Sequence, residues 1–332
     1  MKAAWYERPG AARDVLEVGE MAPPTPGPGQ VRVAVAVAGI NPSDVKTRAG
    51  ATAHARGFAR VIPQNDGAGV IESVGEGVPA SRVGERVWLY SAQQGQPLGT
   101  AAELCVVSAE KAVALPEGVS FEQGACLGVP AMTAHACLFD SGPAGVKSLA
   151  GRTVLVNAGA GAVGHYAVQL ARIAGAEVIS TISSPEKAAH ATAAGAHHCI
   201  NYRSEDIAAR VAEITGGRGV DLLVDMDLNA YGPIIADVVA KFGEVATYGS
   251  LDPTVSLPVR GLRNANITVR FLNVYALGPN RLPNIGRAIN GLLEQGALQH
   301  AIAARFTLDD IVAAHEAVES GRLMGNAVVN IA

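Results

Sequence analysis

Residues Asn157 to Gly164 read Asn-Ala-Gly-Ala-Gly-Ala-Val-Gly and follow the apolar run Thr153-Val154-Leu155-Val156 without a spacer. A helical pattern carrying Val168 and Leu170 starts directly behind them. A buried strand that turns on glycines straight into a helix presents free backbone N–H groups where they can hold phosphate. In the turn Gly159-Ala160-Gly161-Ala162-Val163-Gly164, Gly159 permits the tight bend and Gly161 lets the backbone approach a pyrophosphate. Gly164 lets the helix pack closely on its strand. Such spacing also arises by chance as an ordinary turn in a chain with 38 Gly. The strand before, the helix behind and a second strand at the right distance favour dinucleotide binding.

An NAD site of this kind carries Asp or Glu about 20 residues further on, at the end of the second strand. Here the chain reads Ile179-Ser180-Thr181-Ile182-Ser183-Ser184. No carboxylate stands there to repel a 2′-phosphate. Ser183 and Ser184 offer hydroxyls, and Lys187 follows one helical step later, so NADP is the expected cofactor. Glu186 keeps NAD as the alternative, although its simpler part is to favour a helix N-terminus. Tyr202 is a further candidate for the adenine-ribose side, set against an ordinary packing role.

Around this motif, short apolar runs at 153–157, 177–181, 198–200, 221–225, 244–248 and 268–272 alternate with helical patterns, the signature of a parallel sheet. Ser184 can cap a helix opened by Pro185, and Gly195 sits where that helix should stop. The first third of the chain differs. Val31, Val33, Val35 and Val37 alternate with Arg32, Ala34 and Ala36, a period of two, and further brief runs suggest a compact β domain with one helix near Pro42 to Arg48. Behind residue 276, helices and strands mix again, with strands at 301–305 and 327–331, and the C-terminus is expected to rejoin the first domain. A chain of 332 residues fits two domains at roughly 100–200 residues each.

Composition removes several function classes. With 49% apolar and 17% charged residues the chain is globular rather than disordered. A net charge of −4 leaves no excess of cations for a nucleic-acid partner. The longest uncharged stretch, 153–171, contains Asn157, His165, Gln169 and the glycine turn, so it reads as strand, turn and helix rather than as a membrane span. Cys105, Cys126, Cys137 and Cys199 form no C-x-x-C, and the opening MKAAWYER lacks the apolar run of an export signal. A reducing, cytoplasmic location is expected.

Taken in order, Val37-Ala38-Gly39-Ile40-Asn41-Pro42-Ser43-Asp44, Gly67-Ala68-Gly69-Val70-Ile71, Val83-Gly84-Glu85-Arg86-Val87 and Pro130-Ala131-Met132-Thr133-Ala134 carry a resemblance over nearly the whole length. The glycine turn, Ser183-Ser184-Pro185-Glu186-Lys187 and Ile200-Asn201-Tyr202-Arg203 extend it. The chain resembles the zinc-free quinone oxidoreductase, or zeta-crystallin-like, branch of the medium-chain dehydrogenase/reductase superfamily. The resemblance implies an α/β protein, a GroES-like β-rich catalytic domain plus a Rossmann domain with a doubly wound parallel sheet, and an active site in the cleft. On this reading residues 1–126 form the catalytic domain, 127–276 the NADP-binding domain and 277–332 a segment returning to the first. It also implies a homodimer paired through the edge strand at 268–272.

Zinc-holding relatives carry Cys at the position of Asn41 and a His-Glu pair where this chain has Gln64-Asn65-Asp66. Amides and a lone carboxylate make a poor zinc site, so no metal is expected. The resemblance places Asn41 and Thr133 near the nicotinamide and acceptor, Tyr248 and Gly249 by the carboxamide, and Arg322 within reach of the 2′-phosphate. Asn41 either donates a hydrogen bond to the acceptor or caps the helix beginning at Pro42. Tyr90 and Tyr275 are weaker candidates for donating to the acceptor. The function expected is transfer of hydride from NADPH to a quinone, whose extended π system takes the charge without a Lewis acid. The rivals are a reductase of alkenal or enone double bonds and an NADPH-binding sensor or structural protein without turnover.

Overall fold

The computed structural model describes residues 1–52, 57–139, 149–250, 252, 254–278 and 280–331. Two compact units result: Met1–Met132 with Gly278–Ala332, and Thr133–Leu277.

In the second unit the apolar runs become six strands, β1 (Thr153–Val156), β2 (Glu177–Ile182), β3 (His198–Asn201), β4 (Val220–Asp225), β5 (Val239–Thr247) and β6 (Thr268–Phe271). They line up as β3-β2-β1-β4-β5-β6, every pairing parallel. This is the doubly wound dinucleotide-binding order. Every residue of β1 is buried, as a central parallel strand covered on both faces requires. Leu155, Ile179, Ile200, Leu223 and Val245 from five neighbouring strands meet in one core with Val211 and Ile235 from the helices. Helix Pro185–Ala193 starts where expected: the Lys187 N–H donates to Ser184 Oγ at 3.3 Å, and Gly195 takes φ +111 just past the end.

The first unit is built on a seven-stranded sheet. Gln30–Ile40 is its longest strand, pairing antiparallel with Asp66–Val74, Leu104–Ser108 and Asn326–Asn330. Val31, Val33, Val35 and Val37 all turn inward, so the period of two sets the face of the strand. Asn326–Asn330 also pairs in parallel with Ile302–Thr307, so the last part of the chain completes the first unit's sheet. Helix Pro42–Arg48 leaves the end of the long strand, and the wholly buried Arg48 pairs with Glu319 at the end of helix Ile311–Glu319. Among the described residues no helix is long and apolar enough to cross a membrane.

Candidate active site

The nucleotide turn occupies the carboxyl end of β1, where open α/β sheets bind ligands. Its geometry corrects the role assigned to the first glycine. The left-handed residue is Ala158, at φ +54, and Gly159 has no positive φ. Gly159 is needed for space instead: a Cβ there would lie 2.0 Å from Ser180 Oγ on β2. At Gly164 a Cβ would lie 2.2 Å from the Ala158 carbonyl oxygen, so the helix start and the turn pack directly together. At Gly161 the nearest atom is that same oxygen at 3.3 Å, which leaves this face of the turn open to a ligand. Gly161 is the N-cap residue of helix Ala162–Ile173. The first-turn N–H groups of Ala162, Val163 and Gly164 have no intrahelical acceptor and are free for phosphate.

Beside the turn, Ser183 follows β2 in a buried position and Tyr202 follows β3, its N–H donating to Ile182 O at 3.1 Å. The Tyr202 ring is 48% exposed and Lys187 half-buried, so both stand at the surface beside the strand ends. The Ser184 hydroxyl is taken up by the helix cap and by the Glu186 carboxylate, whose pKa it lowers. Tyr248 and Gly249, both half-buried, follow β5. Thr133 is buried at the start of helix Met132–Phe139. Arg322 belongs to the other unit and is exposed, its N–H on Ser320 Oγ.

A belt of buried side chains below the turn was not anticipated from the sequence. Tyr231 OH donates to Thr181 Oγ1 (2.9 Å), and Thr181 Oγ1 donates to Asn157 Oδ1 (3.0 Å). Asn157 Nδ2 donates to Asp225 Oδ1 (3.1 Å), and Thr247 Oγ1 to Asp225 Oδ2 (2.9 Å). Burial raises the Asp225 pKa, while the Asp227 N–H and these donors pull it back. A usable signal was that β4 runs Leu222-Leu223-Val224 straight into an aspartate at its carboxyl end.

In the first unit, Asn41 is 3% exposed at the N-cap of helix Pro42–Arg48. Its Nδ2 donates to Asp66 Oδ2 at 2.7 Å, and its backbone N–H to Asp44 Oδ2 at 2.8 Å. Asn65 Nδ2 donates to Asp44 Oδ1 at 2.8 Å and its Oδ1 accepts the Gln93 N–H at 3.2 Å. The Val129 N–H, in a π-turn at Leu127–Ala131, is a second donor to Asp66 Oδ2 at 2.8 Å. Burial raises the Asp66 carboxyl well above its ordinary pKa, with the charge of Asp44 adding to the effect, and burial pushes Asp44 up to about 6. Both N–H donors meet Asp66 Oδ2, so a proton on this carboxyl belongs on Oδ1, which has no hydrogen-bond partner among the described residues. The Tyr90 hydroxyl donates to the Glu110 carbonyl and packs inside. A cavity of about 250 Å³ in this unit, lined by Tyr6, Thr47, Thr52, Phe58 and Val61 among others, includes none of the sequence-predicted residues.

A family model described as "Alcohol dehydrogenase GroES-like domain" matches residues 27–117, and one described as "Zinc-binding dehydrogenase" matches residues 162–290. A quinone oxidoreductase of Pseudomonas aeruginosa is 33% identical over 320 residues, 95% of both chains. The chain belongs to the zinc-free quinone oxidoreductases of the medium-chain dehydrogenase/reductase superfamily. A further member of the superfamily, a 2-haloacrylate reductase of Burkholderia sp, is 32% identical over 314 residues, 92% of each chain. Two solved structures extend the likeness to the fold. The quinone oxidoreductase of Pseudomonas syringae pv. tomato DC3000 gives a TM-score of 0.88 at 31% identity over 99% of both chains. That of Escherichia coli, solved with NADPH, gives 0.88 at 26% identity over the full length of both.

The zinc in the second model's description does not fit this chain. At the positions where zinc-holding members of the superfamily supply thiolate and imidazole, the amides of Asn41 and Asn65 are committed to Asp66 and Asp44. Carboxamides bind zinc poorly beside those ligands. Among the described residues no three His, Cys, Asp or Glu side chains gather as a metal site. NADPH does fit, because the turn leaves space at Gly161 and free N–H groups behind it.

Proposed function

We propose that this protein is an NADPH-dependent, zinc-independent reductase whose acceptor is a quinone. The observation that carries the reading is the open phosphate turn beside a strand end that offers Ser183 and Lys187 where an NAD site would place a carboxylate. Bound NADPH supplies hydride from C4 of its nicotinamide. The N–H groups of Ala162, Val163 and Gly164 hold the pyrophosphate, while Ser183, Lys187 and Tyr202 hold the 2′-phosphate and adenine-ribose side. Ser184 adds a polar contact at the same end. Thr133, Tyr248 and Gly249 orient the nicotinamide half. Asn41 keeps one amide N–H on Asp66 and presents the other to the acceptor oxygen, where charge develops as the hydride arrives. Reduction of a quinone to the hydroquinone would take that hydride and one proton from water.

A second reading, reduction of an activated double bond, is favoured by the 32% identity to a 2-haloacrylate reductase. We further propose a homodimer paired through β6, the outermost strand of its sheet, whose Phe271 is 71% exposed. A cytoplasmic location accords with four cysteines that carry no disulfide.

NADPH consumption by the purified protein should be measured with a panel of quinones, alkenals and 2-haloacrylate. Turnover with quinones, and a lower KM for NADPH than for NADH that Lys187→Ala removes, is the expected result. Turnover with alkenals or haloacrylate alone would transfer the assignment to the second reading. NADPH binding with no turnover on any acceptor would leave a sensor or structural protein. Sedimentation showing a monomer at micromolar concentration would end the dimer proposal.

A further inference from the structure

The buried belt crosses the carboxyl ends of β2, β1, β4 and β5, four strands that are consecutive neighbours in the sheet. Its members are Thr181, Asn157, Asp225 and Thr247, one from each strand end in that order, with Tyr231 feeding in from the helix behind β4. The strand ends it joins are those that face the adenosine side, the pyrophosphate turn and the nicotinamide side of the proposed cofactor.

From Asp225 to Thr181 the direction of each hydrogen bond follows from its partners. Asp225, buried and accepting from Thr247 and from the Asp227 N–H, orients the Asn157 amide with its Nδ2 inward. Asn157 Oδ1 therefore points at Thr181, which must give its one proton there. The Thr181 oxygen is left to accept, and it accepts twice, from Tyr231 OH and from the Ala158 N–H at 3.2 Å. Thr181 also takes the Gly159 N–H on its backbone carbonyl at 3.3 Å. These two bonds turn the first N–H groups of the bend inward, and the Ala158 carbonyl accepts the Gly161 N–H at 2.9 Å to close the turn. The alanine is thus held in the left-handed conformation that an L side chain rarely adopts. At the other end, Thr247 Oγ1 lies 3.2 Å from the carbonyl of Gly249, the residue proposed to meet the nicotinamide carboxamide.

We propose that Thr181, Tyr231, Asn157 and Asp225 are positioning residues for NADPH: their one-way hydrogen-bonded belt holds Ala158 in its strained conformation and so sets the phosphate turn. None of the four touches the reacting atoms. The proposal rests on the NADPH reading above and names the residues that preorganise that site.

Thr181→Val keeps the shape of the side chain and removes the three hydroxyl bonds, whereas Thr181→Ser keeps the hydroxyl. Tyr231→Phe removes the far end of the belt and touches no atom of the turn. Dissociation constants for NADPH, steady-state kinetics and thermal melting of the full-length variants provide the test. For Thr181→Val, the Kd and KM for NADPH should rise about tenfold while kcat at saturating NADPH stays within about twofold. Thr181→Ser should restore the affinity to within about threefold, and Tyr231→Phe should weaken it about threefold. A folded Thr181→Val protein whose NADPH affinity stays within twofold of wild type would overturn the belt, as would unchanged affinity in Tyr231→Phe if Thr181→Val does not fold. Wild-type protein that fails to bind NADPH would overturn the functional reading and the belt together, whereas tight binding by wild type and variants alike would overturn the belt alone.

Discussion

Asn41 is a residue whose surroundings leave it little freedom. A carboxamide that is 3% exposed, with its amide on one buried carboxyl and its backbone N–H on another, is held by the two aspartates and in turn keeps Asp66 Oδ2 satisfied. Asn41→Ala should therefore act twice. Removing one of two donors from a buried carboxyl should cost about 1–3 kcal/mol of stability, read by urea denaturation. It should also lower kcat/KM for the quinone about tenfold while leaving the Kd for NADPH unchanged, because the nucleotide turn belongs to the other unit. Lost stability with full activity would reduce Asn41 to a helix cap that also supports Asp66. Such pairings have no local signature: Asn41 and Asp66 are 25 positions apart, and Asn157 and Asp225 are 68 apart. The pairings that tie the site together were for that reason invisible in the sequence, although Asn41 and the turn were not.

At the scale of elements, the clearest relation is between the turn and β2. A Cβ on Gly159 meets Ser180 Oγ at 2.0 Å and Ser180 Cβ at 3.0 Å, so Gly159→Ala should push the turn away from β2 and weaken NADPH binding, with a stability loss of about 1–3 kcal/mol. Combining it with Ser180→Gly removes the colliding side chain and should recover much of the binding, measured as a double-mutant cycle on Kd. No recovery would mean that Gly159 is needed for something other than room. The central strand β1 was legible because burial on both faces turns it into an unbroken apolar run, and helix Pro185–Ala193 because Ser184, Pro185 and Gly195 mark its ends. Two features were not. The left-handed bend falls on Ala158, a residue type that gives no hint of positive φ, and the π-turn at Leu127–Ala131 depends on tertiary contacts such as that between the Val129 N–H and Asp66.

For the whole molecule, pH is the informative variable. His315, on helix Ile311–Glu319, is fully buried, and neither ring nitrogen has a hydrogen-bond partner among the described residues. Burial, with the nearby Arg48 charge adding to it, lowers its pKa from 6.5 to about 3. Below pH 6.5 the unfolded chain takes up a proton that the folded protein refuses until about pH 3. The stability from the neutral ring is therefore complete above pH 6.5 and is lost as the solution is acidified. His315→Leu should flatten this dependence, gaining on the wild type by about 2 kcal/mol between pH 7 and pH 5. Parallel acid melts of the two proteins would show a wrong assignment. The sheet of the first unit has a further consequence, for biosynthesis. Because Asn326–Asn330 pairs with Gln30–Ile40, the sheet that holds the long strand stays incomplete until residues 326–330 have left the ribosome, while the nucleotide-binding unit is translated in one continuous stretch. Nascent chains arrested near residue 300 should resist protease across 153–271 and remain open to cleavage ahead of it, an inversion of the usual N-terminus-first order of folding.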